Sequence, residues 1–184
     1  SEQALATLCC ERLDDRPAPK FLIGGLGMGF TLRAALGQLG PKAEVVVAEL
    51  VPAVVAWAHG PMAEVFAGSL DDPRAKIREA DVGAVIAEAR GAWDAILLDV
   101  DNGPDGLTRA SNDRLYSASG LRVAFGALRP GGILAVWSSG PDAGFAKRLK
   151  SAGFAVEEVR TRANGKRGGA RHVIWIAARP ARSA

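Results

Sequence analysis

From Phe21 to Arg33 the chain reads Phe-Leu-Ile-Gly-Gly-Leu-Gly-Met-Gly-Phe-Thr-Leu-Arg: an apolar run, glycine at alternate positions, then the start of a helical pattern. A buried strand that turns through glycines into a helix leaves few folds open. The glycines permit positive φ and close backbone approach, and the helix start offers free N–H groups to a nucleotide. Gly25, Gly27 and Gly29 follow G-x-G-x-G, but the third glycine or alanine of the dinucleotide fingerprint would fall at Phe30, so NAD is disfavoured. The next apolar run, Val45 to Ala48, closes on Glu49. An acid about 20 residues beyond the glycines, at the end of the second strand, is placed to accept hydrogen bonds from ribose hydroxyls.

The rest of the chain repeats the alternation. Ser1–Leu13 predicts a helix with Leu5, Leu8 and Leu13 on its apolar face. Thr31–Leu39 predicts a second helix, Ala43–Glu49 a strand, and Pro52 opens a helix carrying Val54, Val55 and Trp57, with His59 near its end. Ala75–Ala80, Trp93–Leu98 and Ile133–Trp137 read as strands, and Val82–Arg90, Ser117–Leu128 and Asp142–Ala152 as helices. Arg129-Pro130-Gly131-Gly132 reads as the turn that ends the second of those helices. Val100–Asp113 is a long Asp/Asn/Gly-rich loop, a length that points to function. Phe154–Arg160 and His172–Ala178 carry strand composition, and Val173 to Ile176 mark the second as an inner strand. The expected fold is therefore α/β: a Rossmann-like, doubly wound, mainly parallel sheet of about seven strands, helices on both faces, and an antiparallel pair at the C-terminus. In such sheets ligands sit at the carboxyl ends of the strands. Gly25, Glu49, Asp81 and Asp99 end the first four strands and can share one crevice.

At 184 residues the chain is read as a single domain over 1–184. No apolar run is long enough to span a bilayer, and Ser1–Leu13 lacks the charge order of a signal peptide, so no membrane partner and a cytoplasmic location are expected. Adjacent Cys9 and Cys10 cannot frame disulfides and lack zinc spacing, and packing is the expected role of at least one of them. His59 and His172 are solitary, and Asp99-Val100-Asp101-Asn102-Gly103 fails calcium-loop spacing at Pro104 and Ala110; no metal is expected. The net charge of +3 is concentrated between Arg160 and Arg171. Without interleaved aromatics that segment reads as a solvated loop tip rather than a nucleic-acid face.

Several collinear stretches resemble the spermidine synthases, polyamine aminopropyltransferases built on the class I S-adenosylmethionine-dependent methyltransferase fold. They are Ile23 to Gly29 with Thr31-Leu32-Arg33, Glu49, Asp72-Pro73-Arg74 leading through Lys76 to Asp81, and Leu115-Tyr116-Ser117 through Arg129-Pro130-Gly131-Gly132-Ile133. The resemblance implies a donor, decarboxylated S-adenosylmethionine or S-adenosylmethionine itself, bound by Gly25, Gly27, Gly29, Glu49, Leu50, Asp81, Val82 and Asp99. It also implies a small-molecule amine acceptor and a homodimer. Asp99 becomes the base or cation-holding carboxylate, with Asp101 auxiliary. Two departures stand out: Asn102 occupies the place of the family's second loop aspartate, and the family's N-terminal β-hairpin domain has no counterpart in this sequence. Three readings follow: an aminopropyltransferase acting on a di- or polyamine, an S-adenosylmethionine-dependent methyltransferase, and a non-catalytic nucleoside-binding module.

Overall fold

In the computed structural model, described over residues 2–99, 110–162 and 171–181, seven strands form one sheet in the order β3-β2-β1-β4-β5-β7-β6. The strands are β1 (Lys20–Gly24), β2 (Glu44–Glu49), β3 (Ala75–Glu79), β4 (Trp93–Leu98), β5 (Leu128–Ser138), β6 (Ala155–Arg162) and β7 (Arg171–Ala178). The first five pair in parallel, and β7 runs antiparallel between β5 and β6. The central strands β1 and β4 are buried along nearly their whole length and, apart from Lys20 and Asp94 at their starts, apolar, as befits strands covered on both faces.

One face is covered by α1 (Glu2–Arg12), α2 (Phe30–Gln38), α3 (Pro52–His59) and α4 (Ala63–Phe66), whose core includes Leu5, Cys9, Leu32, Phe66, Phe21, Ile23 and Trp137. The other is covered by α5 (Val82–Glu88), α7 (Ala118–Ala127) and α8 (Ala143–Ser151), with α6 (Ala110–Leu115) beside α7; its core includes Val85, Leu121, Phe145 and Trp175. Side-chain caps fix three helix starts: Asp81, Ser117 and Asp142 accept from Ala84, Gly120 and Phe145 N–H groups.

Several boundaries depart from the expected pattern. In α1 the buried residues are Leu5, Ala6 and Cys9, while Leu8 is only half-buried, because contact with both the sheet and α2 turns the apolar face. The Arg129–Gly132 stretch is no free turn. It lies within β5, where the register with β4 shifts between Trp93 and Ala95 and Gly131 takes φ 77°, so the strand absorbs the kink as a bulge. Helix α6 begins inside the stretch read as a loop, of which 100–109 lie outside the described residues. The short α4 carries no periodic signal, and Trp57 on α3 points outward at 56% exposure.

A charged cluster locks the amino ends of the parallel strands. Asp94, fully buried, accepts from Arg16, from Arg129 at 2.8 Å and from the Lys20 backbone N–H at 2.7 Å. Arg16 also donates to the Pro130 carbonyl at 2.8 Å. At the same end of the sheet, before β3, Arg74 clamps Asp72 at 2.7 Å, which holds the Asp72 carboxyl down at about 2, and donates to the Leu39 carbonyl at the end of α2. The Asp-Pro-Arg stretch thus acts as a brace between β3 and α2.

Candidate functional site

The parallel order β3-β2-β1-β4 brings the ends of the first four strands side by side, so Gly25, Glu49, Asp81 and Asp99 line one rim. The glycine turn is built as its spacing predicts: Gly25, Gly27 and Gly29 have φ of 86°, 49° and 75°. Gly25 donates to the Ala48 carbonyl at 2.8 Å, tying the turn to β2. Gly29 caps α2, and a Cβ there would stand 2.5 Å from the Phe66 ring of α4. At Gly27 a Cβ would meet no atom within 4 Å, so the middle of the turn faces open space. Gly24, the last residue of β1, lets Val82 and Leu98 close over the strand end, which seats the first turn of α5 beside the glycines.

Glu49 is buried, and both its oxygens are engaged. Oε2 accepts from the Leu26 N–H at 2.9 Å and Oε1 from the Val51 N–H at 2.8 Å. The carboxylate therefore staples the glycine turn to the loop after β2. Each oxygen keeps a further lone pair with which to receive a ribose hydroxyl. Leu50, beside it, is 46% exposed at the mouth of the crevice, as is Met28 in the glycine turn. Asp81 spends Oδ1 on the Ala84 N–H at 3.0 Å, and its second oxygen has no hydrogen bond among the described residues. It adjoins a cavity of about 480 Å3 between α5 and α7, whose walls include Ala84, Ile86, Leu115 and Val123.

Asp99 follows β4 and is half-buried. Burial, reinforced by the like charge of Glu2 at the start of α1, raises its carboxyl to about 6. A carboxylate poised there remains ionised at neutral pH yet takes up a proton far more readily than a surface aspartate. Nothing in the sequence marked Glu2 as a charge felt by Asp99, because that influence depends on α1 packing against β4 and β5. Asp101 lies outside the described residues, as does the basic segment from 163 to 170. His172, solitary in sequence, stacks on Trp137 with ring centroids 4.8 Å apart. Among the described residues no group of three His, Cys, Asp or Glu side chains converges to hold a metal ion, and no helix is long and apolar enough to cross a membrane.

No protein-family model matches the chain. It is 35% identical over 152 residues to polyamine aminopropyltransferase 1 of Streptomyces coelicolor, which covers 78% of this chain and 28% of that protein. To the polyamine aminopropyltransferase of Mycobacterium tuberculosis it is 33% identical over 150 residues, 76% of this chain and 27% of that protein. The matched region thus spans little more than a quarter of either relative. A crystal structure of spermidine synthase in complex with the transition-state analogue AdoDATO superposes with a TM-score of 0.76 at 19% identity, covering 97% of this chain and 58% of that one. A precorrin-6y C5,15-methyltransferase from Geobacter metallireducens superposes with a TM-score of 0.66 at 13% identity, covering 94% of this chain and 86% of that one. Sequence and architecture agree: a spermidine synthase-like chain on a class I methyltransferase-like fold.

Proposed function

We propose that this spermidine synthase-like chain, a relative of the polyamine aminopropyltransferases, transfers an aminopropyl group from decarboxylated S-adenosylmethionine to the amine of a di- or polyamine. The observation that carries the reading is the single rim on which a glycine turn, two nucleoside-directed acids and a raised-pKa carboxylate meet, in a chain similar to proteins of that name. Gly25, Gly27 and Gly29 let the donor lie close against the backbone. Glu49 receives the ribose hydroxyls, and Asp81, with Val82 and Leu50, flanks the base.

The transfer is an in-line displacement. The acceptor nitrogen's lone pair forms a bond to the aminopropyl carbon, the carbon–sulfur bond breaks, and its electron pair returns to sulfur, which leaves as the neutral thioether methylthioadenosine. Proximity does most of the work, since sulfonium is already a good leaving group. Only a neutral amine attacks, and the acceptor arrives as an ammonium. Asp99 attracts that cation and takes its proton; a carboxyl near 6 is closer to the working pH than an ordinary aspartate and so better matched to the exchange.

The test is mass spectrometry of the nucleoside product after both sulfonium donors are offered with a panel of amines. Methylthioadenosine formed only when an amine is present establishes aminopropyl transfer. S-Adenosylhomocysteine in its place assigns a methyltransferase, and neither product leaves a nucleoside-binding module.

A further inference from the structure

The cavity of about 480 Å3 beside Asp81 falls within the size range of small-molecule sites, about 300–1,000 Å3. Two glycines shape its walls. At Gly83, in the first turn of α5, a Cβ would stand 2.9 Å from Asp81 Oδ1 and push the capping carboxylate off the Ala84 N–H. At Gly120, in the first turn of α7, a Cβ would collide with the carbonyls of Arg114 and Leu115, so glycine lets the end of α6 close against α7. The Ser117 hydroxyl donates to the same Arg114 carbonyl at 2.7 Å, and together these contacts fix the backbone of Arg114 at the cavity wall.

The broad surfaces of the cavity are apolar, formed by Ala84, Ile86, Ala87, Leu115 and Val123, and suit the flat faces of a ring. Among the described residues its lining carries one anion, Asp81, and one cation, Arg114. One oxygen of Asp81 has no hydrogen bond among the described residues, and the exposed Arg114 guanidinium has neither a hydrogen bond nor an ion pair there. The two charges thus share a cavity without closing on each other, which leaves a free acceptor and a free donor to a guest. A carboxylate only accepts and a guanidinium only donates. A base that presents an N–H beside a bare ring nitrogen satisfies both. Adenine is such a base: its 6-amino group lies between N1 and N7, and either nitrogen accepts.

We propose that Arg114 is a base-reading residue of the donor site, its guanidinium donating to the adenine ring nitrogen next to the 6-amino group that Asp81 holds. This rests on the reading that places a nucleoside donor beside Asp81, and it adds the second half of the contact to the base. Arg114 reaches the cavity only because α6 packs against both α5 and α7.

The test is calorimetric titration of methylthioadenosine and its 1-deaza and 7-deaza analogues, in which C–H replaces one ring nitrogen, into wild type and Arg114→Met. Methionine keeps an apolar stem and removes the donors, and urea unfolding reports that the variant is folded. In wild type one of the two analogues is expected to bind about tenfold more weakly than methylthioadenosine, which identifies the nitrogen that Arg114 reads. Arg114→Met should lose about tenfold in methylthioadenosine affinity and bind that analogue as well as the parent. Arg114→Lys, which keeps a charged donor, should recover part of the difference. Full methylthioadenosine affinity in Arg114→Met would overturn the proposal, as would no binding by any of the three nucleosides. A loss shared equally by methylthioadenosine and both analogues would overturn it too, since the guanidinium would then stack on the base rather than bond its edge. Turnover of the same samples with decarboxylated S-adenosylmethionine and an amine keeps the two readings apart. Affinity that depends on Arg114 without transfer removes the transferase and leaves the base site, whereas transfer by Arg114→Met at an unchanged KM for the donor does the reverse.

Discussion

Replacing Asp99 with asparagine should abolish transfer while making the protein harder to unfold. Asn mimics the protonated carboxyl in shape but cannot ionise, so it removes the cost of holding a charge in a half-buried site beside Glu2. Raising the carboxyl from its ordinary range near 4 to about 6 corresponds to about 3 kcal/mol. Residual contact with water brings the expected gain to about 1–3 kcal/mol. The sign follows from the protons: between those two values the native state holds more protons than the unfolded chain, so wild-type stability falls as pH rises through that window and levels off above it. Urea unfolding of wild type and Asp99→Asn at several pH values should therefore give coincident stabilities below about pH 4 and a gap that opens to its full size by about pH 7, with the variant more stable. Methylthioadenosine affinity should stay nearly intact. Equal stability at pH 8, or a variant less stable there, would refute the reasoning and show instead that the ionised carboxylate is held by hydrogen bonds as a loop cap.

Four further substitutions separate scaffold from site. Asp94→Ala leaves Arg16, Arg129 and the Lys20 N–H facing a buried void, and should cost about 3–5 kcal/mol in denaturant unfolding; a loss below 1 kcal/mol would mean the cluster is solvated. Gly29→Ala places a Cβ against Phe66 at positive φ and should cost about 1–3 kcal/mol of stability. Gly27→Ala, whose Cβ meets only open space, is strained by its positive φ alone and should cost about 1 kcal/mol of stability, less than Gly29→Ala, while weakening nucleoside affinity more; a reversed pattern would move the donor off the glycine turn. Glu49→Gln keeps the shape but turns an N–H2 toward one of two backbone donors. Methylthioadenosine binding should weaken by about 1.5–3 kcal/mol by calorimetry, and unchanged affinity would place the ribose elsewhere.

The parts legible in the sequence were those that local physics dictates. Alternating glycines before a helical pattern predict positive φ, and all three have it; apolar runs that end on Glu49 and Asp99 predict strand ends, and both lie there. What escaped notice depends on register and on partners distant in the chain. Glu49 reads as a ribose ligand, yet half of its work is to staple Leu26 to Val51, which no spacing reveals. The Asp94 cluster draws on Arg16, Lys20 and Arg129, and Glu2 acts on Asp99 only because α1 packs against β4 and β5. His172 looked solitary for the same reason: its neighbours Trp137 and Thr161 lie on two other strands. The Arg129–Gly132 stretch carries every local mark of a turn, and pairing with β4 drew it into a strand all the same.

Strand β7 lies between β5 and β6, although it follows both in the chain. Neither neighbour can complete its ladder until β7 arrives, and β6 has no other strand to lean on. During synthesis the parallel half of the sheet can assemble while β5 still has an open edge, but β6 must wait to be carried in as one arm of a hairpin with β7. The final docking of that hairpin is a late, long-range event of the kind that sets the pace of folding. It is also the event that brings His172 against the Trp137 ring, so a chain caught before it would hold the ends of the first four parallel strands in place while Trp137 still lacked its ring partner.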